Sequence, residues 1–256
     1  SSGCSRSALR TSYPNGPCWR TVRRRGRNLT PQKLCLLCGR TRGFSVISRP
    51  GLDAAADFDR DGDLDLFVGG RVIPGRYPLA PESGLWANRN GRFVDVTDEW
   101  AEGLRKVGMV TSALWSDMND DGWVDLLLTT EWGAVTVFQN SGDSLKNATA
   151  QLGMAEIKGW WNSLAAGDFD GDGDIDYVAG NLGLNTKYHA GAEKPLLLYY
   201  GGFSQSVGKL NLVEAEFEED NLYPIRGKSC STGAMPFLSE RFPTYRSWGA
   251  SLLNEI

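Results

Sequence analysis

Short apolar runs bounded by Gly or Asp recur along this chain, and none of them continues at helical spacing. Residues 64–68 (LDLFV), 124–128 (VDLLL) and 175–179 (IDYVA) are the clearest. Runs of this length between turn residues read as buried strands. Each is preceded, across an acidic loop, by a second short segment: residues 53–56, 111–116 and 162–167. A third pattern follows. Residues 85–97 (LWANRNGRFVDVT) match 137–149 (VFQNSGDSLKNAT), with nine residues from Asn88 to Thr97 and nine from Asn140 to Thr149. Two strands around an Asn…Gly turn make a hairpin. The repeating unit is therefore about four strands. Residues 196–200 and 210–213 predict further strands. Trp248, Leu252 and Leu253 suit a short C-terminal helix starting at Pro243-Thr244.

The loops between paired strands carry the candidate chemistry. Loop one is Asp57-Phe-Asp59-Arg-Asp61-Gly62-Asp63-Leu-Asp65, loop two Asp117-Met-Asn119-Asp-Asp121-Gly122-Trp123-Val-Asp125, and loop three Asp168-Phe-Asp170-Gly-Asp172-Gly173-Asp174-Ile-Asp176. Oxygen-bearing side chains stand at positions 1, 3, 5 and 9, with Gly at position 6. A hard divalent cation takes six to eight oxygens at about 2.3–2.6 Å. Alternate residues of a curled loop can aim carboxylates at one point, and the Gly turn brings in the carbonyl of position 7: Asp63, Trp123 or Asp174. Without a cation these carboxylates repel one another. The expectation is about three Ca²⁺ sites, structural rather than catalytic, with loop two weakest because Asn119 removes a charge. One such loop alone reads as a solvated turn; three in register do not. An EF-hand is excluded, because it needs Glu at position 12, where Val68, Leu128 and Ala179 stand.

Loop-to-loop spacing is 60 residues, then 51. The extra length falls in residues 71–81, whose three prolines exclude a central strand. Four-stranded units at about 50 residues point to propeller blades. The fold expected is all-β: a partial β-propeller of about three to four four-stranded blades with a short C-terminal helix.

The acid loops, residues 69–78 (GGRVIPGRYP), 108–115 (GMVTSALW), 159–174 and 180–186 (GNLGLNT) resemble the FG-GAP or VCBS repeats of integrin α-like β-propellers. A closer resemblance is to bacterial VCBS-repeat proteins related to cartilage acidic protein, which often carry an ASPIC/UnbV domain further on. The resemblance covers roughly residues 51–256. It implies a ring of about seven blades with calcium on one rim. Relatives carry a segment like Arg241-Phe-Pro-Thr-Tyr245 partway along a longer chain, so this chain reads as a fragment.

Three regions are expected: a basic, Cys/Arg-rich segment 1–50, blades over 51–233, and a terminal helical segment 234–256. Residues 1–50 hold 11 Lys or Arg and no Asp or Glu, leaving 16 basic against 31 acidic residues, a net charge of −15, in residues 51–256. That charge excludes nucleic acid as a partner. The basic segment holds Cys4, Cys18, Cys35 and Cys38 and the cluster 23–27 (RRRGR). It reads as disordered or mis-assigned in preference to a nucleic-acid arm or half a zinc site, and it lacks the apolar core of a signal peptide. A fourth acid loop is eroded over residues 200–211, where Gly202 and Ser204 replace carboxylates.

No run approaches 18 apolar residues, so no transmembrane segment is expected. Millimolar calcium would fill loops of extracellular affinity, which favours an extracellular, periplasmic or cell-surface location. Trp115, Trp123, Trp132, Trp160 and Trp161 read as core between blades, with a sugar- or protein-binding platform as the alternative. The single His189 reads as a surface residue. No catalytic constellation is visible, though Glu82, Glu99, Glu131 and Glu193 stay unassigned. The function expected is a calcium-binding module for protein or glycan interaction. The alternatives are a propeller-based polysaccharide hydrolase or lyase, and a structural segment of a larger secreted protein.

Overall fold

The computed structural model describes residues 7–11, 53–183, 186–202 and 210–255. Among them are fourteen strands: β1 (Ser7–Thr11), β2 (Asp53–Ala56), β3 (Asp65–Val68), β4 (Gly84–Arg89), β5 (Arg92–Asp95), β6 (Met109–Ser116), β7 (Asp125–Ala134), β8 (Thr136–Asn140), β9 (Leu145–Asn147), β10 (Lys158–Gly167), β11 (Asp176–Asn181), β12 (Leu196–Gly201), β13 (Asn211–Glu218) and β14 (Asn221–Pro224). Every pairing is antiparallel, and three sheets form, in a partial propeller-like all-β fold.

The first repeat is the sheet β2-β3-β4-β5, with Ala54 opposite Phe67, Leu66 opposite Trp86 and Asn88 opposite Phe93. The second repeat, β6 to β9, follows the same order, and the acid loops join β2 to β3 and β6 to β7. The recurring Thr is structural: Thr97 Oγ1 accepts the Leu85 N–H at 2.8 Å and Thr149 Oγ1 accepts the Val137 N–H at 3.1 Å, each closing a hairpin onto the strand before it.

The third repeat departs from the four-strand expectation. Among the described residues it supplies β10 and β11, and the far end of β10 crosses to β7, so both repeats merge into one sheet ordered β11-β10-β7-β8-β9, with β6 also on β7. The crossing contains a bulge at Trp132, whose φ is +66°. A bulge re-aims its side chain; here it packs the Trp132 ring 5.6 Å from that of Trp160. Strands β12, β13 and β14 form a separate sheet, joined by β1. The strands around the eroded fourth loop are thus present, while residues 203–209 within it lie outside the described residues. The same holds for residues 1–6 and 12–50, with their cysteines and arginine cluster.

Among the described residues α-helix is confined to short pieces: α1 (Thr97–Trp100), α2 (Lys228–Ala234), α3 (Leu238–Arg241) and α4 (Tyr245–Gly249). The expected start at Thr244 is that of α4. Thr244 Oγ1 accepts the Ser247 N–H while Ser247 Oγ accepts the Thr244 N–H, a capping box that satisfies two otherwise orphaned donors. One terminal helix was too few. Helices α2 and α3 precede it, and α2 begins at Lys228, inside the span expected for blades. Met235, Leu238, Phe242 and Trp248 bury together, so the helices share a small core of their own.

The main core lies between the first two repeats. Phe58, Phe67, Leu85 and Ala87 of the first interleave with Val110, Leu126, Leu128 and Phe138 of the second, all fully buried. The inserted residues 71–81 fold back over β7. The Arg71 guanidinium pairs with Glu131, Tyr77 OH donates to Glu131 Oε1 at 2.5 Å, and Trp132 Nε1 donates to Tyr77 OH at 2.6 Å. These bonds and the Arg71 charge offset the cost of burying Glu131. Trp132 and Trp161 are core, while Trp115, Trp123 and Trp160 are half-buried.

Candidate metal centre

The three acid loops share one internal hydrogen-bond code. Position 1 accepts the N–H of position 6: Asp57 from Gly62 at 3.2 Å, Asp117 from Gly122 at 3.0 Å, Asp168 from Gly173 at 3.0 Å. Position 3 accepts from position 5: Asp59 from Asp61, Asn119 from Asp121, Asp170 from Asp172. Position 5 accepts from position 7: Asp61 from Asp63, Asp121 from Trp123, Asp172 from Asp174. Position 9 accepts from position 2: Asp65 from Phe58, Asp125 from Met118, Asp176 from Phe169. The position-6 glycines have φ of +95°, +89° and +91°, a region that L side chains enter only under strain. Position 4 is left-handed too, at Arg60, Asp120 and Gly171; only Gly171 betrays it in sequence.

These bonds curl the acids inward. Asp57, Asp59 and Asp61 each bring a carboxylate oxygen within 4.8 Å of the others, as do Asp168, Asp170 and Asp176. Asp65 stands outside the first group and Asp172 outside the third. In loop two Asn119 takes the place of a third carboxylate at the mouth, and its Nδ2 donates to Asp121 Oδ2 at 2.9 Å.

Position 9 is the keystone. Asp65, Asp125 and Asp176 are 1%, 0% and 2% exposed. Besides the loop N–H, Asp65 Oδ1 accepts the Asn88 N–H at 2.8 Å and Asp125 Oδ1 accepts the Asn140 N–H at 2.9 Å. The same asparagines return the favour: Asn88 Nδ2 reaches the Leu64 carbonyl at 3.3 Å, and Asn140 Nδ2 reaches the carbonyls of Val124 at 3.2 Å and Phe58 at 2.8 Å. The recurring Asn, legible in sequence as a turn residue, thus also locks each loop to its hairpin, and Asn140 ties loop one to the second repeat.

Burial pushes the Asp65 carboxyl up to about 6; two backbone N–H groups oppose the shift, and Asp59 and Asp61 add to it. Asp125 is raised to about 6 in the same way, with Asp121 and Asp117 adding to burial. An unfolded Asp titrates near 3.9. Between about pH 4 and pH 6 the metal-free folded chain therefore holds protons that the unfolded chain has released, and stability falls as pH rises through that window. In EDTA, wild type is expected to lose several degrees of Tm relative to an Asp65→Asn/Asp125→Asn variant between pH 4 and pH 7. Thermal melts on both proteins check this; a wild type that gains on the variant would overturn it.

A hard divalent cation fits this donor set. The acids that converge in loops one and three, Asp57, Asp59 and Asp61 and Asp168, Asp170 and Asp176, all offer carboxylate oxygen, as such a cation requires. In loop one, Asp57 Oδ1 is buried with no hydrogen-bond partner, a costly state for a carboxylate oxygen unless a cation faces it. Asp57, Asp59 and Asp61 in loop one and Asp168, Asp170 and Asp176 in loop three would hold the ion.

Two arginines at the loops were not legible as partners. Arg89, at the end of β4, places Nη1 2.6 Å from Asp59 Oδ2 and 2.8 Å from Asp61 Oδ2. Arg60, at position 4 of loop one, donates to the Gly122 carbonyl of loop two and stacks 3.9 Å over the Trp123 ring. Of the unassigned acids, Glu131 is buried on Arg71 and Tyr77, while Glu82, Glu99 and Glu193 are exposed. His189 is exposed, with its ring 3.8 Å from Glu216.

Residues 117–179 match the family model of the FG-GAP-like repeat. The chain carries an FG-GAP-like repeat. The matched span opens on the first acid of loop two and closes in β11, so it takes in loops two and three and the β8–β9 hairpin. Loop one lies outside it and keeps the same hydrogen-bond code. A comparison with curated proteins found no match. FG-GAP-like repeats are typical of extracellular domains, and no helix among the described residues is long and apolar enough to cross a membrane.

Proposed function

We propose that this protein is a calcium-stabilised, propeller-like module that works outside the cytosol and binds a protein or a glycan, with calcium structural rather than catalytic. The observation that carries the reading is the hydrogen-bond code shared by the three acid loops, which gathers three aspartates at one mouth in loops one and three, together with the buried, unpartnered Asp57 Oδ1. Three loops give about three sites, and Asn119 makes loop two weaker by one charge. The buried Glu131 is held by Arg71 and Tyr77, which fits a structural role for that acid. The net charge of −15 in residues 51–256 favours a partner other than nucleic acid.

Calorimetric titration with CaCl₂ at about 0.1 M salt tests the calcium reading. About three sites are expected, with Kd of about 10⁻⁴–10⁻³ M as in extracellular modules. The Tm should rise by several degrees between EDTA and saturating calcium, because the ion binds the folded chain alone. Equal melting in both conditions would end the reading. Glycan-array binding that EDTA abolishes tests the partner class; chelator-resistant binding would separate the partner from the calcium loops.

A further inference from the structure

Taking the acid loops as calcium sites, as proposed above, we infer that Arg89 is a built-in counter-cation for loop one. It neutralises the loop when no metal is bound, and a divalent cation must displace it to enter.

One guanidinium nitrogen of Arg89 lies 2.6 Å from Asp59 Oδ2 and 2.8 Å from Asp61 Oδ2, bonding at once the two carboxylates that a loop-bound ion would bridge. The remaining oxygens are engaged as well: Asp59 Oδ1 accepts the Asp61 N–H at 3.3 Å and Asp61 Oδ1 accepts the Asp63 N–H at 3.0 Å. An ion bridging Asp59 and Asp61 through their Oδ2 atoms has to take them from the guanidinium. The arginine is delivered by the framework, because the neighbouring Asn88 is fixed to Asp65 Oδ1 and to the Leu64 carbonyl. In the second repeat the corresponding residue is Ser141, whose hydroxyl turns to Asp143 Oδ1 at 2.7 Å. Arg60 does reach loop two, but it contacts the Gly122 carbonyl and the Trp123 ring instead of the acids. A counter-cation seated on the carboxylates is thus supplied to loop one by its own hairpin and not to loop two by its own.

Exchange is feasible because the Arg89 side chain is 44% exposed while that of Asp59 is 7% exposed. The guanidinium can swing into water with its charge intact, whereas the acid stays in place for the ion. Half-exposed ion pairs are weak, so Arg89 yields to calcium at high concentration and holds the loop closed at low concentration. Occupancy of loop one is then set by competition between the ion and the arginine.

The test uses the whole chain as wild type, Arg89→Gln and Arg89→Lys, with calcium titrations and with thermal melts in EDTA and in saturating CaCl₂. Arg89→Gln is expected to tighten one calcium site by about three- to tenfold, to melt lower than wild type in EDTA, and to recover most of that loss in calcium. Arg89→Lys keeps the charge without the planar fork and should fall between them. Adding Asp59→Asn to Arg89→Gln should remove the tightened site and leave the others, which assigns it to loop one. A Tm loss that is equal in EDTA and calcium would mark Arg89 as merely structural and overturn the proposal, as would Kd values unchanged by Arg89→Gln. If Arg89→Gln does not fold without metal, Arg89→Lys carries the same two readouts. A wild type that binds no calcium sinks the calcium reading and this inference together; calcium binding indifferent to position 89 sinks this inference alone.

Discussion

Asp125→Ala is expected to lower the unfolding free energy by about 3 kcal/mol or more. The carboxylate is fully buried, and its two oxygens hold two different parts of the chain: Oδ2 takes the Met118 N–H of loop two and Oδ1 the Asn140 N–H at the end of β8. Alanine leaves both donors buried and unpaired, at about 1–3 kcal/mol each. It also opens a void beside Leu126, which is itself fully buried. Because the lost bonds join a loop to a hairpin, the damage should spread over the second repeat. Urea unfolding of the metal-free protein at pH 5, below the raised Asp125 value of about 6 so that no buried charge is relieved by the substitution, reads the effect as a shift in midpoint. A loss below about 1 kcal/mol would show that the position-9 acid is not what fastens the loop to its sheet.

Phe58→Ala should cost about 3–5 kcal/mol, whereas Phe169→Ala, at the same position of loop three, should cost less than about 1 kcal/mol. Phe58 is 0% exposed; its ring meets Trp100 edge-on at 4.7 Å and stacks on Trp115 at 6.0 Å. Truncating it empties the contact between the first and second repeats. Phe169 occupies the equivalent place with 59% of its surface exposed, so little is lost with its ring. In a protein of this size the Phe58 variant should melt roughly 10 °C lower. Equal losses from the two variants would mean that the loop's own geometry, and not the neighbouring repeat, sets the value of the aromatic residue.

Much of the site was legible because it is local. Asp at positions 1, 3, 5 and 9 and Gly at position 6 form a code closed within nine residues, and the bonds from Asp57 to Gly62 and from Asp117 to Gly122 follow it directly. The hairpins after each loop were legible through the Asn to Thr spacing, and the helix start through Thr244. The third repeat was misjudged because strand count follows pairing partners. Nothing in residues 158–181 announces that β10 will cross to β7 through a bulge at Trp132. Two of the three C-terminal helices were missed because their stabilisation is a shared core of Met235, Leu238, Phe242 and Trp248, not a helical repeat within either segment.

The sequence alone determined where the acid loops lie, how each curls, and that strands flank them, because those features depend on neighbours a few residues away. Tertiary structure decided what each loop meets. Arg89 reaches Asp59 across 30 residues, Arg60 reaches Gly122 across 62, and Asn140 reaches the Phe58 carbonyl across 82. It also decided that burial pushes the Asp65 and Asp125 carboxyls up to about 6 and that Phe58 is core while Phe169 faces solvent. Burial and charge pairing depend on which strands come together, and no short stretch of chain carries that information.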